Sequence, residues 1–201
     1  MYCVIVCGPP ASGKSTLARA LGEQMGLPVI GKDELKEILF DELGFSSREE
    51  KVRLGRAALR LLLRFAASQM ERGLPFIMEN NFENEGRGEL MALLGRYGCV
   101  PITLRLRADM EELHRRFLAR ERSPQRHLGH VRNDSYPPKD SAAPVTPLSL
   151  ADFARGVQSR GMCSFDAGGP LLELDTTELS SVDRAALAAR LEKSIREAQG
   201  E

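Results

Sequence analysis

The sequence predicts an α/β fold: a five-stranded parallel sheet covered by helices on both faces, three layers in all. Short strand-like apolar runs alternate with longer stretches of helical periodicity. A tight glycine-rich turn joins the first apolar run to the first helical stretch, as in a strand–turn–helix unit. At 201 residues with 42% hydrophobic content, the chain suits one domain with a substantial core rather than two.

Taken in order, Tyr2-Cys3-Val4-Ile5-Val6-Cys7 is the first strand, and Leu17, Ala18, Leu21 and Met25 mark a helix beginning near Lys14. Leu27 to Ile30 reads as a second strand and Asp33 to Leu43 as a helix. Ser47 to Arg72 is a longer helix, striped by Leu54, Ala58, Leu61, Leu62, Phe65 and Met70 and stopped by Gly73. Phe76-Ile77-Met78 is a third strand running into Glu79-Asn80-Asn81, Val100 to Leu106 a fourth and Leu171 to Leu174 a fifth. Between the last two lie an arginine-rich helix, Asp109 to Arg122, and an irregular segment, Asn133 to Pro147, carrying Pro137, Pro138, Pro144 and Pro147. So long a loop in a compact domain reads as a lid or as disorder. A closing helix carries Leu187, Leu191 and Ile195, with Ser180 as its expected cap and Asp183 in its first turn. The expected organisation is a single domain over 1–201, with substrate-covering helices in 34–72 and a lid in 115–147.

Lys plus Arg (28) equals Asp plus Glu (28), so no overall basic field draws the chain to nucleic acid or to an anionic membrane. A local basic groove still allows a nucleic-acid partner, which the balance does not favour. No apolar run reaches membrane-spanning length, and with the first strand at Tyr2 no signal peptide is expected; the expected location is cytoplasmic. Cys3, Cys7, Cys99 and Cys163 lack zinc-type spacing and read as reduced thiols, mostly in the core.

Gly8-Pro9-Pro10-Ala11-Ser12-Gly13-Lys14-Ser15-Thr16 has the glycine–lysine–serine spacing of a phosphate-binding loop. In that pattern backbone N–H groups wrap phosphate oxygens, the lysine bridges the outer phosphates and the serine hydroxyl holds Mg²⁺. Its expected ligand is a nucleoside triphosphate such as ATP with Mg²⁺. The loop alone leaves the destination of the phosphate open between water, protein, nucleic acid and a small hydroxyl compound.

Asp33 follows the second strand, at the edge where parallel sheets bind ligands. It either accepts the proton of an attacking hydroxyl or caps the helix beginning Glu34-Leu35-Lys36. Glu79, ending the third strand, stands where such proteins place an acid for the Mg²⁺ shell, and Asn80 and Asn81 are candidates for holding substrate or simple turn residues. Arg116 and Arg120 lie four apart on one helical face, followed by Arg126, a charge cluster suited to clamping phosphates or to a solvated face paired with Glu111, Glu112 and Glu121. His127 and His130 have no third metal ligand nearby; stabilising the lid or touching phosphate is the expectation for them. His114 reads as an exposed helix residue.

The segments Gly8 to Thr16, Val29-Ile30-Gly31-Lys32-Asp33, Ile77-Met78-Glu79-Asn80-Asn81-Phe82 and Arg116-Phe117-Leu118-Ala119-Arg120 resemble, in order, the motifs of small P-loop kinases. The resemblance is to chloramphenicol phosphotransferase, the kinase domain of polynucleotide kinase and zeta toxin, and covers most of the chain outside Gly129 to Arg160. It implies a three-layer P-loop NTPase fold of the nucleoside-kinase-like kind with a helical lid. It also implies that Asp33 activates the acceptor hydroxyl, that Arg116 and Arg120 engage nucleotide phosphates, and that Asp175-Thr176-Thr177 lies against adenine. Glu79 departs from the more familiar aspartate, and nothing matches a substrate pocket. The expected activity is transfer of the ATP γ-phosphate to a hydroxyl of a small molecule or nucleotide. The alternatives are a polynucleotide 5′-hydroxyl kinase and a non-kinase ATP-binding switch or ATPase; neither an Asp-x-x-Gly after the third strand nor an Asn-Lys-x-Asp supports a GTPase.

Overall fold

Each strand ends at the same edge of one parallel sheet, and that edge assembles the site. The computed structural model describes residues 1–139 and 144–200, so part of the proline-rich loop lies outside the described residues. Its strands are β1 (Tyr2–Cys7), β2 (Val29–Gly31), β3 (Phe76–Glu79), β4 (Val100–Arg107) and β5 (Leu171–Asp175), in the order β2-β3-β1-β4-β5. All four pairings are parallel. The helices are α1 (Lys14–Met25), α2 (Lys32–Leu43), α3 (Arg48–Glu71), α4 (Arg87–Tyr97), α5 (Met110–Glu121), α6 (Leu128–Val131), α7 (Leu150–Ser159) and α8 (Arg184–Gln199).

Alternation along β1 makes the three layers. Cys3, Ile5 and Cys7 face one way into a core with Leu62, Ala66 and Met70 of α3 and Leu90 and Leu94 of α4. Val4 and Val6 face the other way, onto Leu17 and Leu21 of α1 and Leu187 and Leu191 of α8. Both faces are buried, which is why the strand reads as a continuous apolar run.

Two helices depart from the sequence reading. A parallel crossover from β3 to β4 needs a connecting element, and α4 supplies it although Gly88 and Gly95 dilute its helical pattern. α7 stands just after the expected lid; Phe153 and Val157 join Leu113 of α5 and Met162 in a small core of their own. Smaller corrections concern β2, which runs one residue past Ile30 and starts two residues after Leu27, and the closing helix. Its cap is Asp183, whose side chain accepts from the Ala186 N–H at 2.9 Å, while Ser180 sits in a preceding 3₁₀ turn. Cys3, Cys7 and Cys99 are buried, Cys163 is exposed, and all four are free thiols. Among the described residues no helix is long and apolar enough to cross a membrane.

Candidate active site

The turn after β1 is built around two glycines with left-handed backbone. Gly8 has φ +137°, and a Cβ there would meet the Leu106 carbonyl oxygen at 2.4 Å; Gly13, φ +89°, would press a Cβ to 2.9 Å from Leu179. Ala11 also has a positive φ, 64°, and so carries backbone strain inside the loop. Gly13 caps α1 without any side-chain partner, and no acidic residue occupies the first turn of α1. The helix therefore directs free N–H groups and its positive dipole end into the turn, the physical basis of an anion site.

A cleft of about 360 Å³ opens at this point, lined by Ala11, Gly13, Lys14, Ser15, Thr16, Asp33, Glu79, Arg116, Arg120 and Arg126 together with Arg19, Glu34 and Glu37. Six residues of the loop and strand-end motifs and all three expected arginines are thus brought to one cavity with Asp33. Lys14 is buried with its Nζ donating to the Pro9 carbonyl at 2.8 Å. Burial lowers its pKa, against the pull of Glu79 and Asp33. The Ser15 hydroxyl donates to Glu79 Oε2 at 3.0 Å, and burial raises the Glu79 pKa while Lys14 holds it down. Ser12 is buried, its hydroxyl without a partner among the described residues. Gly8, Pro9 and Pro10 shape the turn from outside the lining.

Asp33 lies in the first turn of α2, which is capped by Gly31 with no side-chain bond; capping is therefore not its function here. Burial of its carboxyl raises its pKa, but its neighbours His130, Lys36, Arg126 and Lys14 outweigh this and draw it down. Its residue surface is nonetheless open to solvent at the cleft. The outcome is a carboxylate that stays ionised at neutral pH and is reachable by a ligand.

The two helix arginines divide. Arg116 spends its donors inside the protein: Nε on Glu112 at 2.6 Å, Nη1 on the Thr176 carbonyl at 2.8 Å and Nη2 on the Thr177 carbonyl at 2.6 Å. Arg120 has its Nε buried without a partner among the described residues, and burial beside Arg126 lowers its pKa. Arg126 is held by Glu121, Nε to Oε1 at 3.1 Å. Thr176, expected to face the nucleotide, is fully buried with its hydroxyl donating to the Arg107 carbonyl at 3.0 Å. What it offers the site is the carbonyl that fixes Arg116. The open groove beside it is lined instead by Thr177 to Ser180 and the first turns of α5.

The expected lid is docked on α2. His127 Nε2 meets Asp41 Oδ1 and His130 Nε2 meets Glu37 Oε1, each at 3.0 Å, while the Tyr136 hydroxyl donates to Asp41 at 2.7 Å. His114, expected to be exposed, is half-buried, and its Nε2 lies 2.8 Å from the Leu148 carbonyl. Asn80 is buried and faces an adjoining cavity rather than the cleft; Asn81 is half-buried and lines neither. Sequence reasoning missed Arg19 at the cleft and the lysines Lys36 and Lys51 behind it, for which no motif exists.

Among the described residues no cluster of three or more His, Cys, Asp or Glu could hold a metal by itself. The donor set present, one hydroxyl and one adjacent carboxylate, suits a hard cation that brings most of its ligands as water and phosphate oxygen.

The profile of a family described as an AAA domain matches residues 3–136. The chain belongs to this AAA-domain family. The matched span of the AAA domain takes in every candidate site residue except Thr176, and stops short of α7, β5 and α8. A crystal structure from Chloroflexus aurantiacus J-10-fl, described as a "putative kinase", is 34% identical to this chain, covering 96% of it and 97% of that one with a TM-score of 0.79. More distant likenesses are a gluconokinase from Sinorhizobium meliloti 1021 (15% identity, 99% and 94% covered, TM-score 0.55) and a shikimate kinase from Bacteroides thetaiotaomicron (15%, 97% and 98%, 0.53). These two share the fold: the chain has the P-loop kinase-like α/β architecture. No curated protein matches the sequence.

Proposed function

We propose that this protein is a Mg²⁺-dependent kinase that transfers the γ-phosphoryl group of ATP to a hydroxyl of a small molecule. The observation that carries the reading is the placement of Asp33 in the same cleft as Lys14, the Ser15–Glu79 pair and Arg120. Kinase names among the similar structures support it. The loop N–H groups and Lys14 hold the phosphates, and Thr177 to Ser180 flank the nucleoside. Ser15 and, through water, Glu79 would hold Mg²⁺, which when bound neutralises developing phosphate charge. Asp33 orients the acceptor hydroxyl and takes its proton as the oxygen bonds to the γ-phosphorus and the bond from that phosphorus to the bridging oxygen breaks, leaving ADP. With its pKa drawn down, Asp33 works chiefly by orientation, since a weak base gains little from early proton transfer. Arg120, whose Nε has no partner among the described residues, stabilises charge on the transferred group. The buried free thiols suit a reducing compartment, the cytosol.

The test is Asp33→Asn. Nucleotide affinity should stay within a few-fold while transfer falls by about 10²–10⁴-fold. Full transfer by this variant to any acceptor would sink the assignment.

A further inference from the structure

A second cavity of about 270 Å³ adjoins α2 next to Asp33, lined there by Lys32 and Lys36. Four of its basic lining residues, Lys32 and Lys36 on α2 and Arg48 and Lys51 on α3, form no ion pair with a carboxylate among the described residues. Its other two arginines are neutralised at the rim, Arg56 by Glu85 and Arg160 by Glu83. Asn80, His130 and Asn133 complete a polar wall that contains no aromatic platform apart from the imidazole.

Gathering four cations in a small cavity is costly unless an anion joins them, because each disfavours the charge of the next. That cost is visible in Lys51 and Lys36. The Lys51 pKa is lowered to about 7 by burial, then by Lys36, Arg48 and Arg126, against Glu121; that of Lys36 is lowered by burial and Lys32, against Asp33. Lys51 has its own N–H groups committed to the His130 and Arg132 carbonyls and to Asn133 Oδ1, so it contributes field and fixes the lid segment. Among the described residues Arg48 gives only Nη1, to Asn133 Oδ1 at 3.1 Å. Lys36 has its ammonium over the Phe40 ring at 5.2 Å; among the described residues neither it nor Lys32 nor the rest of the Arg48 guanidinium has a hydrogen-bond acceptor, which leaves their N–H groups for a ligand.

Lys36 stands three residues after Asp33 on α2, and helix neighbours at that spacing are about 5–6 Å apart at Cβ. Asp33 faces the transfer cleft while Lys36 faces the second cavity, so one compact molecule can present a hydroxyl to the first and an anion to the second.

We propose that this cavity is the acceptor site and that the acceptor is a small anionic alcohol, a hydroxyl compound carrying a carboxylate or phosphate group held by Lys36, Arg48 and Lys32. The proposal rests on the kinase reading above and names the substrate class that reading leaves open. The cavity size and the missing stacking platform argue against a nucleic-acid end.

The experiment is Mg²⁺-ATP turnover on a matched panel: hydroxy acids (gluconate, shikimate), sugar and polyol phosphates (glucose 6-phosphate, glycerol 3-phosphate), their neutral counterparts (glucose, glycerol), uridine and a 5′-hydroxyl oligonucleotide. Transfer should favour one of the anionic groups by at least tenfold in kcat/KM, and comparing the two groups tells carboxylate from phosphate. For the best acceptor, Lys36→Gln and Arg48→Gln should each raise KM by tenfold or more while kcat and nucleotide affinity change less than threefold, the latter showing that the variants fold. Neutral alcohols or the oligonucleotide used equally well or better, or an unchanged KM in both variants, would overturn the anionic assignment and leave the kinase standing. No transfer to any compound above ATP hydrolysis would overturn the kinase reading itself.

Discussion

The Ser15 hydroxyl of α1 donates to Glu79 Oε2 at the end of β3, at 3.0 Å, so a single hydrogen bond joins the phosphate loop to the neighbouring strand. Glu79 is buried, and burial opposes its charge while Lys14 and Ser15 favour it. On the kinase reading, replacing Glu79 by Gln keeps an acceptor for Ser15 and removes the charge. Transfer should fall by about 10–100-fold and the Mg²⁺ concentration for half-maximal rate should rise. A Mg²⁺ titration of kcat measures this; superimposable curves for the two proteins contradict the role.

Arg116 and Arg120 should fail differently when truncated. Arg116→Ala removes two hydrogen bonds that tie α5 to the turn after β5 and a third to Glu112 within α5, so it should cost about 1.5–3 kcal/mol of stability and raise the nucleotide KM. Arg120→Ala removes a half-buried cation whose Nε has no partner among the described residues, so stability should hold while kcat drops by about 10³-fold. Thermal denaturation beside steady-state kinetics separates the two, and the opposite pattern would refute the division of roles.

His130 should make the fold acid-sensitive. Its side chain is buried among Glu37, Asp33 and Lys36 of α2, Lys51 of α3 and Arg126, and burial, together with those cations, lowers its pKa from 6.5 to about 3 against the pull of Asp33. Between those values the unfolded chain binds a proton that the folded chain refuses, so stability is full above pH 6.5 and is lost as pH falls toward 3. The slope from this one group reaches about 1.4 kcal/mol per pH unit. His130→Gln, which can still donate to Glu37, should flatten it. Urea midpoints at pH 6.5, 5.5 and 4.5 test this, with parallel slopes counting against it.

Local spacing made the loop, the strand ends and the arginine helix legible because each depends on neighbours a few residues apart. Asp33 shows where that stops. From sequence it reads equally as a cap or a reacting group, and only the position of Gly31 as the cap removes the first choice. Thr176 shows the same limit in reverse, since burial under β4 and β5 could not be read from three polar residues after a strand. α4 and α7 were hidden for different reasons: glycines blurred the period of α4, and α7 buries its face on α5, a partner nearly forty residues earlier in the chain, leaving no motif.

By itself the sequence determined the parallel three-layer architecture and the phosphate loop, because strand burial, helical period and glycine geometry are local properties of the chain. Only the tertiary structure decided which charges share a cavity. Arg116 became a strut and Arg120 a cleft cation whose Nε has no partner among the described residues, while Lys36 and Lys51 met in the second cavity. The physical reason is that electrostatics acts through space, and residues from α2, α3, α5 and the lid segment become neighbours only once the sheet has brought its strand ends to one edge.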